Sequence, residues 1–329
     1  MALVGLEEIR AAQKRIAGVA VRTPLMPCPW AADGNRRLWL KPENLQPTGA
    51  FKIRGAYNRL AALTEEERAR GVVAQSSGNH AQAVAYAAQL LGIKAVIVMP
   101  DTSPAVKVEN TRSFGAEVVL VSPAERDEFP SELTRSHGYV WVPPFDDPYI
   151  IAGQGTVGLE IGEDAPDELD TVLVPVSGGG LISGTAAAIK LTTPGVRVIG
   201  VEPELAADAQ GSLRAGTRVV WPVADTYRTI ADGLRTPAVG VLNFEHLQAY
   251  VDDIVTVSEQ EIRDTVAVLA RRGRIVAEPS GAVATAAYLH RAGELGMGAP
   301  LAGGGGRVFA AVVSGGNLEP KLLSELLAA

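Results

Sequence analysis

Apolar residues fall along this chain in short blocks set about one helix apart. Residues 72–74, 94–99 and 117–121 are brief, partly β-branched runs, and between the first two lies an Ala-rich stretch, 79–91, with helical periodicity. Strand, helix and strand in that order predict a βαβ unit. Residues 171–176, 196–201 and 307–313 repeat the pattern around a helical stretch at 183–189, and their nearly unbroken hydrophobicity suits parallel strands covered on both faces. Residues 6–17 and 53–63 read as helices, whereas TPLMPCPW between them is too rich in proline for regular helix. WVPPFDDPY at 141–149 carries three prolines and predicts a crossover between two lobes. The expected fold class is α/β, with two open, twisted parallel-sheet lobes and flanking helices. The larger lobe is expected from residues 1–65 and 150–329, the smaller from 66–149.

Composition narrows the partners. Of 329 residues, 47% are hydrophobic, which excludes general disorder, and 30 Lys plus Arg against 37 Asp plus Glu give a formal charge of −7. That balance argues against nucleic acid or an acidic membrane as partner, but leaves room for a local pocket that binds a small anion. No apolar run approaches the roughly 20 residues needed to span a bilayer. The opening MALVGLEEIRAAQKRIAG has Glu and Arg where a signal peptide would be apolar, so the expected compartment is the cytoplasm. A single cysteine, Cys28, excludes an internal disulfide, and four histidines leave little for a zinc cluster.

Three strand ends carry candidate chemistry. The block at 171–176 runs into Ser177, Gly178, Gly179, Gly180 and Leu181 before a helix, and successive small residues there let backbone N–H groups converge on a phosphate. The spacing matches neither a dinucleotide fingerprint nor a nucleotide P-loop. Ser76, Ser77, Gly78, Asn79 and His80 crowd the next junction, more polar groups than a helix cap requires, and could hold a substrate carboxylate. Ser314 and Asn317 follow the block at 307–313, at the strand end where open α/β sheets bind ligands. Lys52 lies between Phe51 and Ile53. A lysine so placed is ordinarily a solvated side chain, but a desolvated one has a lowered pKa and acts as a nucleophile. A lysine amine and a phosphate cradle together imply pyridoxal phosphate.

TGAFKIRGA around Lys52, SSGNHAQA at 76–83, PFDDPYIIAGQGT at 144–156, PVSGGGLISG at 175–184, TIADGL at 229–234 and VSGGN at 313–317 stand in one order. With them the chain resembles, over nearly its whole length, the fold-type II pyridoxal-phosphate enzymes of the threonine/serine dehydratase and serine racemase family. The resemblance implies that Lys52 carries pyridoxal 5'-phosphate, that Phe51 packs against its ring and that Asn79 binds the ring 3-oxygen. It further implies that Ser177, Gly178, Gly179, Gly180 and Leu181 hold the phosphate, that Ser314 partners the pyridine nitrogen, and that Gly233 and Glu278 line the pocket. Glu202, Asp208 and the Ala206 carbonyl match the oxygen ligands of a divalent ion, Mg²⁺ or else Ca²⁺ or Mn²⁺. The family also suggests a homodimer. Two departures stand out: Ala50 replaces the usual Ser two residues before the lysine, and no regulatory domain follows the catalytic body, so isoleucine feedback is not expected.

The expected activity is an L-threonine/L-serine ammonia-lyase acting on a small β-hydroxy amino acid. Lys52 would take the Cα proton while the groups at 76–80 orient the substrate carboxylate. Ser77 resembles the second acid/base of serine racemases, whereas PFDDP resembles the dehydratase form of its segment. A serine racemase with side dehydratase activity is therefore the close alternative, followed by a 3-hydroxyaspartate dehydratase. A catalytically silent cofactor-binding protein fits less well, since Lys52, Ser77 and Ser314 are all present.

Overall fold

Among the described residues ten strands form two sheets: β1 (Met26–Pro27), β2 (Arg36–Pro42), β3 (Val72–Gln75), β4 (Ala95–Pro100), β5 (Glu117–Val121), β6 (Val140–Trp141), β7 (Leu169–Pro175), β8 (Arg197–Pro203), β9 (Asp253–Val257) and β10 (Arg307–Val313). The computed structural model describes residues 2–76, 78–103, 105–122, 125, 128–296 and 306–328. The larger sheet has the order β1-β2-β10-β7-β8-β9 and is parallel except for the antiparallel pairing of β1 with β2. The smaller, β5-β4-β3-β6, is parallel throughout.

Alternate residues of β10 explain why its sequence is apolar without a break. Phe309, Ala311 and Val313 pack with Leu38, Leu40 and the helix Pro279–His290 on one face of the sheet. Ala310 and Val312 pack with Val172, Val174 and the helix Gly180–Thr192 on the other. Both faces are buried, as parallel sheets require. In the smaller sheet Val72, Ala74 and Ile97 face the helix Asn79–Leu91, and Val73, Val96 and Val98 face the opposite layer.

The helix Pro148–Asp164 begins just after the proline-rich crossover and holds the site's parts together. Its capping residue is Asp147, which accepts from the Tyr149 and Ile150 amides at 2.8 and 3.0 Å. Gly158 and Gly184 bring it against the helix Gly180–Thr192 so closely that a Cβ at either would meet the facing backbone. On its other side Gln154 accepts from the Gly55 amide at 3.2 Å, which seats the helix Lys52–Ala61. Ile53, Ala56 and Leu60 of that helix share a core with Val72 and Ala74, so the lysine helix lies at the junction of the two sheets. Among the described residues no helix is long and apolar enough to cross a membrane.

Candidate active site

Lys52 opens its helix, one residue before the expected start at Ile53. It is held there by the preceding segment, whose Phe51 amide donates to Ser314 O at 3.0 Å while Ala50 bridges Gly315. The Lys52 ammonium donates to Pro144 O at 2.7 Å, and its nitrogen lies 5.2 Å from the centre of the Phe51 ring. Although a small face of the residue remains exposed, the protein packed around the amine strips its hydration and lowers its pKa to about 8. His80 lies close enough for the Lys52 charge to add to burial in depressing its imidazole to about 3. That ring stays neutral, and its Nε2 bonds Val142 O at 3.0 Å.

Residues 144–147 of the crossover each make a distinct connection. Pro144 receives Lys52; the Phe145 ring then lies over the glycine turn so closely that a Cβ on Gly178 would collide with it. Asp146 accepts from the Val241 and Leu242 amides at 2.9 Å, capping the helix Val241–Tyr250 from another part of the chain, and Asp147 caps its own helix. The glycine turn is fixed on its far side as well, because Gly178 O accepts from the Gly240 amide at 3.0 Å and from Asn243 Nδ2 at 2.9 Å. Gly179 has φ +94°, a conformation that only glycine adopts without strain, and it leads into the helix Gly180–Thr192 with no side-chain cap. The backbone N–H groups at Gly180 and Leu181 thus start a helix whose positive end suits phosphate. Ser177 Oγ accepts from the Thr236 amide at 3.3 Å.

On the smaller lobe, Gly78 starts the helix Asn79–Leu91, again without a side-chain cap, and Ser76 Oγ accepts from the Gly78 amide at 3.1 Å. Ser77 lies outside the described residues. Asn79 reaches the larger lobe, where its Nδ2 donates to Glu278 Oε1 at 2.7 Å and its Oδ1 accepts from Asn317 Nδ2 at 2.7 Å. Ser314, buried at the end of β10, makes only a long 3.4 Å bond to Ser280 O, so its hydroxyl remains able to serve a ring nitrogen. Ser280 Oγ accepts from the Gly233 amide at 2.9 Å, which brings that residue to the same wall. A cavity of about 550 Å³ opens beside Glu278 and Asn317, with Pro100 and Lys107 on one side and Asp232 on the other. Lys107 and Asp232, both on its wall, form a 2.7 Å ion pair; Lys52 and the glycine turn are not on its wall.

Burial first, and then the Asp232 carboxylate, push Glu278 up to about 8, against the Asn79 hydrogen bond and the Lys107 charge. In the unfolded chain the same carboxyl ionises near 4.5, so between these values the folded protein keeps a proton that the unfolded chain has released. Stability from this group is therefore complete below about pH 4.5 and drains away as the pH rises towards 8. Melting temperatures of cofactor-free protein should fall more steeply from about pH 5 to about pH 8 in the wild type than in Glu278→Gln, by at most about 1.4 kcal/mol for each pH unit crossed. Parallel curves would mean that Glu278 ionises like an exposed carboxyl.

Two further groupings of buried charge stand apart from the wall of that cavity. Glu202, on β8, and Asp208, at the start of the helix Asp208–Ala215, are fully buried. Glu202 accepts from the Ala209 and Gln210 amides at 3.1 and 2.7 Å, while neither Asp208 oxygen has a hydrogen-bond partner of normal geometry. Burial raises both carboxyls, and the nearby Asp208 charge raises Glu202 further. The buried Ala206 lies between them in sequence; among the described residues no cluster of three or more metal-ligating side chains occurs, so a cation here would draw on backbone oxygen too.

The second grouping is absent from the sequence reading. Arg54, two residues after Lys52 and 0% exposed, reaches Glu43 at 2.7 and 2.8 Å and Glu160 at 2.6 and 2.8 Å. Lys41 joins Glu160 at 2.6 Å, and Thr23 donates to Glu43 at 2.6 Å. Burial alone would raise Glu43, but the Arg54 guanidinium outweighs it and holds that carboxyl below its usual range. Two cations and two anions so matched anchor the lysine helix to β2 and to the helix Pro148–Asp164.

A family model described as pyridoxal-phosphate dependent enzyme matches residues 16–302. The chain is 44% identical to the L-threonine ammonia-lyase of Thermotoga maritima over 99% of its own length and 78% of that protein. It is 41% identical to the catabolic L-threonine dehydratase of Escherichia coli K12, covering 98% of this chain and 96% of the relative. The solved structure of maize serine racemase superposes with a TM-score of 0.91 at 38% identity, covering 99% of this chain and 98% of that one.

Proposed function

Because the chain belongs to the family of pyridoxal-phosphate dependent enzymes, we propose that it is an L-threonine/L-serine ammonia-lyase, which converts a β-hydroxy amino acid to a 2-oxo acid and ammonia. The observation that carries this reading is the desolvated Lys52 amine bonded to Pro144 O, one residue before the ring that packs on the glycine turn. Residues 1–65 and 150–329 make the cofactor lobe in this reading, and 66–149 the lobe that presents the substrate groups. Phe51 would support the cofactor ring. Asn79 would donate to its 3-oxygen, Ser314 would face its nitrogen, and Gly233 and Glu278 would line its edge. The amides and hydroxyl of Ser177, Gly178, Gly179, Gly180 and Leu181 would hold its phosphate. When bound, the cofactor supplies an electron sink for the charge left at Cα. Lys52 moves the Cα proton, and the uncapped helix start at Gly78, Asn79 and His80, with Ser76, orients the substrate carboxylate. The test is to incubate purified protein with each enantiomer of serine and threonine and to resolve keto acid and enantiomeric product. Absence of keto acid from both L-substrates would sink the assignment.

Racemisation is the second reading, favoured by the identity of residue 77 and by the likeness to maize serine racemase. Inversion needs a proton donor on the face opposite Lys52, and a hydroxyl at Ser77 would supply it; elimination needs none there. Ser77→Ala should therefore keep appreciable dehydration while losing D-serine formation by about 10²- to 10⁴-fold. Equal losses of both activities with cofactor retained would assign Ser77 another role.

A divalent cation held by Glu202, Asp208 and the Ala206 carbonyl is part of the proposal, supported by the two Asp208 oxygens buried without a partner. After chelation, added Mg²⁺, Ca²⁺ or Mn²⁺ should raise the melting temperature, and Asp208→Ala should abolish the rise. An unchanged melting temperature in the wild type would exclude the site. A cytoplasmic homodimer completes the reading, and the apolar side chains of Val220, Val223 and Val241, each more than half exposed, are open to a partner. Sedimentation in solution would test it.

A further inference from the structure

We propose that Asn317 is a positioning residue for the reaction, fixing which end of the Asn79 amide faces the cofactor's 3-oxygen. The inference rests on the cofactor reading above and adds a residue to it. Oxygen and nitrogen of an amide have nearly the same shape, so their order must follow from neighbours whose polarity is unambiguous. Here the order starts from a backbone carbonyl. Thr48 O can only accept, and Asn317 Nδ2 lies 2.9 Å from it. The second hydrogen of the same nitrogen goes to the atom of Asn79 at 2.7 Å, which must therefore be Oδ1. Asn79 Nδ2 is then turned to Glu278 Oε1 at 2.7 Å, where it uses one of its two hydrogens. The other is the donor left for the cofactor.

Glu278 could not impose this order by itself, because a carboxyl that carries a proton donates as readily as it accepts. The reversed amide would set Asn79 Nδ2 against Asn317 Nδ2, two donors face to face. The backbone around Asn317 is fixed accordingly: Gly316 N donates to Gly49 O at 2.9 Å, and a Cβ on Gly49, which has φ +70°, would collide with Asn317 Oδ1. The loop before Lys52 and the loop after β10 thus lock together around one asparagine, which sets the polarity of another.

A donor to the 3-oxygen favours its anionic form, so losing that donor makes the oxygen a stronger base. Visible absorbance of the resting holoenzyme, titrated with pH, reads the proton that this oxygen shares with the nitrogen supplied by Lys52. Asn79→Ala should move the transition upward by about one pH unit, the shift that a hydrogen bond to a charged group is worth. Asn317→Asp, which offers only acceptors and turns the Asn79 amide over, should move it as far. Asn317→Ala, which removes the lock without adding charge, should move it in the same direction. The double variant Asn79→Ala with Asn317→Ala should titrate like Asn79→Ala alone, because Asn317 acts through Asn79. A wild-type transition in both Asn317 variants, or additive shifts in the double variant, would overturn the proposal. A wild-type holoenzyme without any visible band would remove the cofactor reading itself, and this inference with it.

Discussion

Lys52→Ala protein should fold and yet turn over no substrate, a loss exceeding the roughly 10²- to 10⁴-fold that a general base alone is worth, because in the proposed reading the same amine would also hold the cofactor covalently. In the wild type, borohydride reduction followed by peptide mapping should place the cofactor on Lys52, and a label on any other lysine would refute the assignment. Capture of added pyridoxal phosphate by cofactor-free protein should quicken as the pH rises through about 8, since only the neutral amine attacks and burial has brought its pKa there. A midpoint near the ordinary lysine value of about 10.4 would show that the amine is solvated.

The largest loss of stability is expected from Arg54→Met. The guanidinium supplies hydrogen bonds to Glu43, Glu160, Thr156 Oγ1 and Val21 O, and its removal leaves two buried carboxylates facing one ammonium, Lys41. Breaking a buried pair in this way costs about 3–5 kcal/mol. Arg54→Lys should restore little, for a single ammonium cannot span both carboxylates as a planar fork does. Chemical denaturation of the three proteins reads the difference; equal midpoints would mean that the cluster contributes nothing net.

Local features of the sequence were legible where local chemistry set them. The apolar blocks at 117–121 and 307–313 coincide with β5 and β10, and the Ala-rich stretch at 79–91 coincides with its helix. Other expected bounds shifted by a residue or a few, as at 171–176 against Leu169–Pro175, since strand ends are settled by their neighbours. β2 passed unread because RRLWLKP carries a lysine before its closing proline, and Lys41 is buried through bonds to Glu160, 119 residues away, and to Thr23 O. Arg54 gave no local sign of its burial either, since its partner Glu160 is 106 residues away. Asn317 stood inside a recognised motif, but its partner Asn79 is 238 residues distant, so its orienting contact could not be read from spacing. The crossover was read as a link between lobes; that its residues each seat a different part of the site depends on contacts made in three dimensions.

The position of β10 between β2 and β7 bears on how the protein is made. All four strands of the smaller sheet lie within residues 72–141 and can pair soon after they leave the ribosome. The larger sheet cannot be completed so early: β7, β8 and β9 can pair with one another, but β2 has only the two-residue β1 beside it until residues 307–313 have been synthesised. A growing chain therefore carries the reactive lysine and the glycine turn long before it carries Ser314 and Asn317. Those two arrive with β10 itself, so the larger sheet and the wall that carries Ser314 and Asn317 are completed in one event.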